Sequence, residues 1–258
     1  MRVATSNLLS GRALPDGAVR TENLVAAARL LDADVIGLQE VDRYQERSGN
    51  VDQAKVVADT VGATDWRFVP ALEGTPGGPW TASRADDGRS ASGPTYGIAL
   101  VSRLPVLSWR VRRFAPAPLG LPLLVPGSRG LTLVADEPRI ALAAVVAGPR
   151  GPVTVVTAHL SFVLGWNVRQ VRAITRWARS LPGPRLLIGD LNLPGGVPSL
   201  VSGWSRLARV STYPSWKPRV QLDHVLTEAP APTSRAEVVR LPVSDHCALF
   251  VDLPDLGG

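Results

Sequence analysis

Several residue types that often carry function are scarce in this sequence. Its 258 residues include one cysteine, one methionine, three histidines and two lysines, and aromatic residues make up 5% of the total. The single cysteine, Cys247, excludes an internal disulfide framework and a zinc site built on several thiolates. We therefore expect Cys247 to be a small buried apolar residue.

Long apolar runs are absent as well. No segment approaches the roughly 18 consecutive apolar residues of a membrane-spanning helix, and the first residues follow a strand pattern without the regions of a secretion signal. We therefore expect a soluble, cytoplasmic protein, unless a leader has been removed. The sequence also lacks H-E-x-x-H, G-x-S-x-G and a glycine-rich phosphate loop, which disfavours zinc proteolysis, acyl transfer and nucleotide-triphosphate chemistry.

The charge balance is basic. There are 28 Lys and Arg residues against 22 Asp and Glu, which gives a net charge of +6 and a pI near 10.4. A positive field attracts phosphates, so an anionic partner is favoured, although the arginines are scattered. The hydrophobic content of 45%, without a linker or a repeat, predicts one domain over residues 1–258, and we expect a monomer.

Helical and strand-like patterns alternate along the whole sequence. Apolar residues at helical spacing predict three helices, at 20–32, 51–61 and 166–180. Short apolar runs predict buried strands at 2–7, 35–40, 96–105, 136–146, 153–160, 186–188 and 219–226.

Two connecting segments have unusual compositions. Residues 72–94 are polar and rich in Gly, Pro and Ser, which predicts a mobile loop. Residues 114–138 are too rich in proline for a regular strand and unusually apolar for a loop. This second segment either packs on the domain, which is the commoner case, or lies exposed.

One stretch, R-L-L-I-G-D-L-N at 185–192, organises the interpretation. The apolar run predicts a buried strand that Gly189 ends, which leaves Asp190 and Asn192 at the mouth of the strand. In an extended chain these two side chains lie on the same face, about 6–7 Å apart, and both can reach one small polar ligand. An Asx turn is the alternative interpretation, because Asp, Asn and Gly are the usual turn residues.

The same arrangement recurs at other strand ends. The further polar residues at or near such ends are Asn7, Glu40, His159, Asp223, His224, Asp245 and His246. Solvation or packing would explain any one of them, whereas the whole set predicts a shared rim where they converge on a cation. Carboxylates and amides without thiolates favour Mg²⁺ or Mn²⁺, which shares its coordination with a phosphate.

An ordered series of short motifs carries a resemblance to a known family. The motifs are T-S-N (5–7), L-Q-E-V (38–41), Y-G-I-A-L-V-S-R-L-P (96–105), E-P-R (137–139), T-A-H-L (157–160), G-D-L-N (189–192), L-D-H-V (222–225) and S-D-H (244–246). This series covers almost the whole chain and resembles the endonuclease/exonuclease/phosphatase superfamily. The resemblance implies an α/β (α+β) fold, a four-layered sandwich in which two mainly antiparallel β-sheets face each other and helices cover their outer faces.

The resemblance also implies which residues hold the metal and the water. Glu40 is expected to be the principal metal ligand, with Asn7 and Asp245 nearby. Asp190 is expected to orient or deprotonate the attacking water. Asn192 would be its partner in holding the phosphate and the nucleophile in line.

A second group of residues is expected to contact the phosphate. His246 would touch the phosphoryl oxygens, and Asp223 would fix its tautomer and raise its basicity. His159, Arg139 and Tyr96 match positions that contact phosphate or brace the site. Together these residues predict hydrolysis of a phosphodiester by in-line attack of water.

The substrate is less closely determined. The family includes deoxyribonucleases, abasic-site endonucleases, deadenylases, sphingomyelinases and inositol-phosphate phosphatases, and the positive charge and the number of nuclease branches favour nucleic acid. A phospholipid or an inositol phosphate is the alternative, with the apolar 119–126 segment against a membrane. Trp80, Trp109, Trp166 and Trp216 could stack on bases or lie at a lipid interface, although core packing is their commoner role. A non-catalytic binding module is disfavoured because every catalytic-type position is filled.

Overall fold

The structure is a computed structural model and describes residues 1–85, 93–124, 130–228 and 235–254, without the side chains of 123, 124 and 132. The α-helices are α1 (Thr21–Leu30), α2 (Gln53–Val61), α3 (Trp166–Ala178) and α4 (Val197–Ser202). The strands are β1 (Arg2–Asn7), β2 (Val35–Arg43), β3 (Asp65–Gly74), β4 (Trp80–Ala82), β5 (Thr95–Ser102), β6 (Val106–Phe114), β7 (Leu121–Leu124), β8 (Leu131–Val134), β9 (Arg139–Gly148), β10 (Gly151–His159), β11 (Arg185–Asp190), β12 (Ser205–Arg206), β13 (Asp223–Thr227), β14 (Arg235–Val239) and β15 (Ala248–Asp252).

Most strands belong to two large sheets. The first sheet has the order β14-β15-β1-β2-β5-β3-β4, the second has the order β12-β13-β11-β10-β9-β6, and β7 pairs only with β8. Each large sheet is antiparallel except for one parallel pair, which is β1 with β2 in the first sheet and β10 with β11 in the second. The carboxyl ends of parallel strands lie at the same edge of a sheet, where ligand sites commonly form. The two parallel pairs therefore bring the residues at their ends to one rim.

Apolar side chains fill three spaces between the layers. The central core lies between the two sheets and includes Val35, Leu100, Leu142, Val155 and Ile188. Helices α1 and α2 pack on the outer face of the first sheet, and α3 packs on the outer face of the second. The fold is a four-layered sandwich of two mainly antiparallel sheets flanked by helices, which confirms the fold prediction.

The three predicted helices are confirmed, with ends that differ by a few residues. In α1 Leu24 and Ala28 are buried, and in α3 Val171 and Ile174 are buried, as helical spacing of one apolar face requires. A short fourth helix, α4, lies in a region for which no helix was predicted. Within the described residues, no helix is long and apolar enough to cross a membrane.

The two loop predictions were wrong in part. Segment 72–94 begins with the end of β3 and contains β4, which pairs with β3; residues 86–92 lie outside the described residues. Segment 114–138 contains β7 and β8, although proline was expected to prevent regular strands there. Both strands of an isolated two-stranded ribbon have a free edge, so Pro122 can be accommodated without its missing N–H donor.

The β7–β8 ribbon carries exposed leucines. Leu119, Leu131 and Leu133 are 76%, 68% and 73% exposed, so these side chains do not pack on the domain. We call these three residues the apolar hairpin. Residues 125–126 of the apolar 119–126 segment lie outside the described residues.

Candidate active site

The sequence predicted that Glu40 ends its strand, and this prediction is wrong. Glu40 lies inside β2. The strand continues to Arg43, and its pairing with β5 shifts register between Leu38 and Val41. Glu40 has a φ of 53°, a left-handed conformation that is uncommon for a residue with a side chain. This β-bulge redirects the carboxylate towards the rim while the strand pairing continues on either side.

Gly189 likewise does not end its strand. A Cβ atom there would lie 2.0 Å from the carbonyl oxygen of Ala158 on the neighbouring strand, so only glycine fits this close approach. The backbone turns only after Asp190, whose Oδ1 accepts a hydrogen bond of 3.0 Å from the N–H of Asn192. The Asx-turn interpretation is therefore correct, and it holds together with the prediction that both residues face the rim.

Four of the predicted site residues, Asn7, Glu40, His159 and His246, meet around the carboxylate of a fifth, Asp190. Its Oδ2 accepts a hydrogen bond of 3.1 Å from Asn7 Nδ2 and lies 3.7 Å from His159 Nε2 and 3.8 Å from His246 Nε2. Asn7 Nδ2 also donates to Glu40 Oε1 at 2.8 Å. The two sheets thus bring residues up to 239 positions apart in the sequence, Asn7 and His246 (246 − 7), around one carboxylate.

His246 is held by an acidic partner. Its Nδ1 lies 2.8 Å from Asp223 Oδ2, so the proton on Nδ1 is donated to the carboxylate and Nε2 faces Asp190. Burial disfavours the charged imidazolium, but the negative charges of Asp223 and Asp190 outweigh it and raise the pKa of His246 to about 10. The Tyr213 ring packs against the imidazole, with ring centroids 4.9 Å apart. His246 is therefore a charged donor at neutral pH.

His159 has a basic partner instead. Its Nδ1 lies 3.2 Å from Arg139 Nη1, and because a guanidinium can only donate, Nδ1 must accept and Nε2 must carry the proton. Arg139 is held in turn by Asp136, whose Oδ1 accepts from Nη2 at 3.2 Å. Burial, together with the positive charge of Arg139, lowers the pKa of His159 well below its usual value. His159 is therefore a neutral donor that faces the site through Nε2.

The carboxylates of the rim are costly to keep ionised. Burial raises the pKa of Glu40 to about 7, against the opposing hydrogen bond from Asn7 and with help from the negative charge of Asp245. Burial also raises the pKa of Asp190, although the positive charge of His246 reduces the shift. A divalent cation would stabilise these ionised oxygens, and a donor set of carboxylates and an amide is the kind that Mg²⁺ prefers. The residues present therefore fit the predicted metal.

Two groupings of these residues could be considered for a cation. Ligand atoms of Asp190, Asp223 and His246 lie within 4.8 Å of one another. Asp223 and His246, however, are already hydrogen-bonded to each other, and a charged imidazolium has no free lone pair for a metal ion, so His246 is better suited to donate to a phosphate through Nε2. Glu40 remains the predicted principal ligand. The amide oxygen of Asn7 accepts from Leu9 N at 3.0 Å and keeps one lone pair for a ligand.

Tyr96 is buried at the start of β5. Its ring lies beneath Arg47, a residue that the sequence analysis did not identify. The Arg47 guanidinium lies 5.7 Å from the centre of the Tyr96 ring, and its Nη2 is 2.6 Å from Asp42 Oδ1. Burial opposes the charge of Arg47, but the hydrogen bond and the negative charge of Asp42 raise its pKa, with a smaller contribution from Glu40, the predicted metal ligand. The buried Asp42 was the available clue, because a carboxylate inside an apolar strand requires a partner.

Two other residues that the sequence analysis did not identify contact predicted site residues. Asp136 holds Arg139 and lies three positions before it, a spacing that could have suggested the pair. Tyr213 packs on His246 from an irregular segment, where nothing in the sequence indicated the contact. The remaining histidine, His224, is fully buried and lies 2.8 Å from the carbonyl oxygen of Leu193 through Nε2, away from the rim.

Comparison with solved structures supports the architecture. An endonuclease/exonuclease/phosphatase from Beutenbergia cavernae DSM 12333 is 22% identical with a TM-score of 0.65, over 100% of this chain and 72% of that chain. Sphingomyelinase C from Streptomyces griseocarneus is 16% identical with a TM-score of 0.63, over 98% and 99% of the two chains. A beta toxin variant from Staphylococcus aureus with bound magnesium ions is 12% identical with a TM-score of 0.66, over 98% and 99%.

No curated protein matches the chain. The family model described as Endonuclease/Exonuclease/phosphatase family matches residues 4–246, a span that contains all ten predicted site residues. Proteins of this family are metal-dependent hydrolases that act on phosphoester bonds. The chain therefore belongs to the Endonuclease/Exonuclease/phosphatase family.

Proposed function

We propose that the chain is a Mg²⁺- or Mn²⁺-dependent phosphodiesterase that acts as a monomer and cleaves nucleic acid by in-line attack of water. The position of Asp190 carries the proposal, because its Oδ2 lies 3.7 Å from Nε2 of His159 and 3.8 Å from Nε2 of His246. A carboxylate base, a neutral donor and a charged donor thus surround one small volume. Hydrolysis of a phosphodiester requires these three functions together.

Asp190 is suited to activate the water. Because burial raises its pKa, the carboxylate is a stronger base than an exposed aspartate and accepts a proton from water more readily. Asn192 lies next to it, and its Nδ2 donates to the carbonyl oxygen of Leu160 at 2.9 Å, which holds the amide in place. This amide and the Asx turn fix where a water bound to Asp190 stands relative to the phosphoryl group.

The two histidines stabilise the phosphoryl oxygens. Charged His246 donates through Nε2, while Asp223 holds its ring in place, and neutral His159 donates through Nε2 from the other side. A divalent cation bound at Glu40 would neutralise charge on the non-bridging and leaving oxygens. Magnesium is the metal named in the neighbouring beta toxin structure, which supports Mg²⁺ as the first choice for assay.

An exposed aromatic residue supports a nucleic-acid substrate. Trp216 is 58% exposed, and it lies in the turn between Tyr213 and Val220, which form an isolated β-bridge. Tyr213 packs on the catalytic His246, so this turn borders the site. Stacking of a base on an exposed aromatic ring contributes about 1–3 kcal/mol, and the neighbouring Lys217 adds a positive charge.

A phospholipid is the second candidate, and the apolar hairpin is the observation that favours it. Ala117, just before the hairpin, donates its N–H to Asp136 Oδ2 at 2.8 Å, and Asp136 holds Arg139 beside His159. The exposed leucines are thus connected to the rim by three residues. A structural neighbour named sphingomyelinase C also supports this candidate.

One set of assays separates the candidates. The metal-loaded protein is tested against bis-(p-nitrophenyl) phosphate, single- and double-stranded DNA, RNA, sphingomyelin vesicles and inositol phosphates. We expect cleavage of nucleic acid with either Mg²⁺ or Mn²⁺. No cleavage of any nucleic acid, together with phospholipid turnover that falls in Leu131→Ser/Leu133→Ser, would reverse the choice of substrate. No hydrolysis of any phosphodiester by the folded protein would favour a binding module.

A further inference from the structure

A cavity of about 430 Å³ lies among the loops next to the catalytic rim. Three arginines, Arg206, Arg209 and Arg219, line it, and none of the described residues that line it is acidic. Pockets of roughly 300–1,000 Å³ hold small organic ligands, so this volume accommodates a nucleotide-sized group. The cavity is therefore basic and large enough for an anionic ligand.

The arginines have no acidic partners in the part of the chain that the structure describes. Arg206 Nη2 donates to Gln221 Oε1 at 2.6 Å, and its buried Nε has no hydrogen-bond partner among the described residues. Burial, together with the positive charge of nearby Arg209, lowers the pKa of Arg206. Arg209 and Arg219 are exposed. The cluster thus brings positive charges together without a counter-charge, which favours binding of an anion.

The walls of the cavity belong to segments that adjoin the predicted site residues. Pro194 and Gly195 line it, two and three positions after Asn192. Gln221 Nε2 donates to the carbonyl oxygen of Asp223 at 3.2 Å, and the backbone N–H of Arg219 donates to the carbonyl oxygen of Tyr213 at 2.8 Å. Two residues of trans chain span at most about 7 Å, so the cavity begins next to the site of hydrolysis.

We infer that this cavity binds a phosphate of the nucleic-acid strand that neighbours the scissile phosphate. The inference rests on the proposed function and adds to it the path of the strand, which runs from the rim across the Pro194–Gly195 loop to the three arginines. Guanidinium groups bind phosphate oxygens through pairs of charge-assisted hydrogen bonds. A substrate with a single phosphate cannot use this contact.

The test compares two charge-matched double variants. Arg209→Ala/Arg219→Ala removes two cavity arginines, and Arg29→Ala/Arg235→Ala removes two exposed arginines of α1 and β14 that do not line the cavity. For each protein, kcat/KM is measured on a short DNA oligonucleotide and on bis-(p-nitrophenyl) phosphate with Mg²⁺. We expect the ratio of these values to fall about ten- to hundred-fold in the cavity variant and to stay unchanged in the control.

Salt dependence provides a second readout. The affinity for the same oligonucleotide is measured in a chelator, which prevents turnover, over a series of salt concentrations. In the cavity variant the slope of log K against log salt should become shallower by about 0.7 for each lost phosphate contact, and Arg209→Lys/Arg219→Lys should recover most of it. The control variant should keep the wild-type slope.

The outcomes distinguish this inference from the proposed function. If the wild-type protein cleaves the oligonucleotide and both double variants behave alike, the cavity does not bind the strand, and the nuclease proposal stands. If the wild-type protein hydrolyses bis-(p-nitrophenyl) phosphate but neither binds nor cleaves the oligonucleotide, both proposals are wrong. Sphingomyelin turnover by that preparation would then identify a lipid as the substrate.

Discussion

His159 and His246 lie at nearly equal distances from the carboxylate of Asp190, but their hydrogen-bond partners have opposite charges. His246 is bound to Asp223 and its pKa is raised to about 10, whereas His159 is bound to Arg139 and its pKa is well below the usual value. Their Nε2 atoms lie 3.8 Å and 3.7 Å from Asp190 Oδ2. The residue behind each imidazole therefore decides whether it is a charged or a neutral donor.

This difference gives the two sides of the site separate roles. Two charged imidazoliums would repel each other and the metal, whereas two neutral ones would leave phosphoryl charge without a cationic donor from the protein. One of each supplies a positive charge on one side and a hydrogen bond without charge on the other. Asp190 lies between them and can act as the base in the same reaction.

The largest expected effect on catalysis follows from removing Asp190 or His246. Asp190→Asn and His246→Ala should each lower kcat about 10²- to 10⁴-fold, because base and phosphate contacts act mainly in the transition state. Thermal stability should change little. Steady-state kinetics on bis-(p-nitrophenyl) phosphate and a melting curve would measure both quantities.

The paired variant tests whether the two residues work together. Since Asp190 and His246 act on one transition state, the double variant should lose less than the product of the two single losses. Losses that simply multiplied would mean that the residues act independently, contrary to a shared site.

A smaller effect is expected from changing the partner of His246. Asp223→Asn should lower kcat about 10- to 100-fold and move the pKa of His246 down towards its usual value. The imidazolium should then lose its proton at a lower pH than in the wild-type protein, in which the pKa is about 10. NMR titration of the imidazole and the alkaline side of the pH–rate profile should both shift to lower pH; an unshifted profile would reject the assigned role.

Changing the partner of His159 should shift its pKa in the opposite direction and lower kcat by a smaller factor. Arg139→Gln removes the positive charge beside His159, so the pKa of His159 should rise, and kcat should fall about ten-fold with the loss of ring positioning. Arg110→Gln, a change of an exposed arginine on β6, is the matched control. A pKa of His159 that falls or stays constant would contradict the role assigned to Arg139.

Glu40 provides a pH-dependent effect on stability. Its folded pKa of about 7 is above the ordinary value of 4.5, so its contribution to stability is present below pH 4.5 and is lost as the pH rises through 7. In a metal-free protein this loss is on the order of 3 kcal/mol at most. Glu40→Gln should therefore melt higher than wild type at pH 8 in a chelator, with a smaller difference at pH 5. An equal difference at the two pH values would contradict the assigned burial cost.

Much of this site could be predicted from the sequence because its residues lie at or near the ends of apolar strands. Asn7, His159 and Asp190 are the last residues of their strands, and the apolar runs that end at or near them were enough to predict that position. The bulge at Glu40 could not be predicted, since it depends on pairing with β5. Contacts across the fold, such as Tyr213 on His246, leave no local pattern either.

The strands of the fold likewise divide into those that the sequence predicted and those that it did not. Most buried strands with apolar runs were predicted, but β3 was missed although it lies between two other strands and is largely buried. The edge strand β6 was missed as well, because its arginines interrupt the alternation. The exposed β7–β8 ribbon was missed because its prolines suggested a loop. Most strands with a continuous apolar run could therefore be predicted from the sequence, whereas strands with mixed composition, such as β3 and β6, could not.

The most direct test of the metal-dependent mechanism is a Mg²⁺ titration of bis-(p-nitrophenyl) phosphate hydrolysis by the wild-type protein and by Glu40→Gln. The wild-type rate should rise to saturation with Mg²⁺ and vanish in a chelator. The variant should remain folded and lose most activity at every Mg²⁺ concentration, because the amide replaces the anionic ligand. A variant with unchanged Mg²⁺ dependence and rate would contradict the assignment of Glu40 as the principal metal ligand.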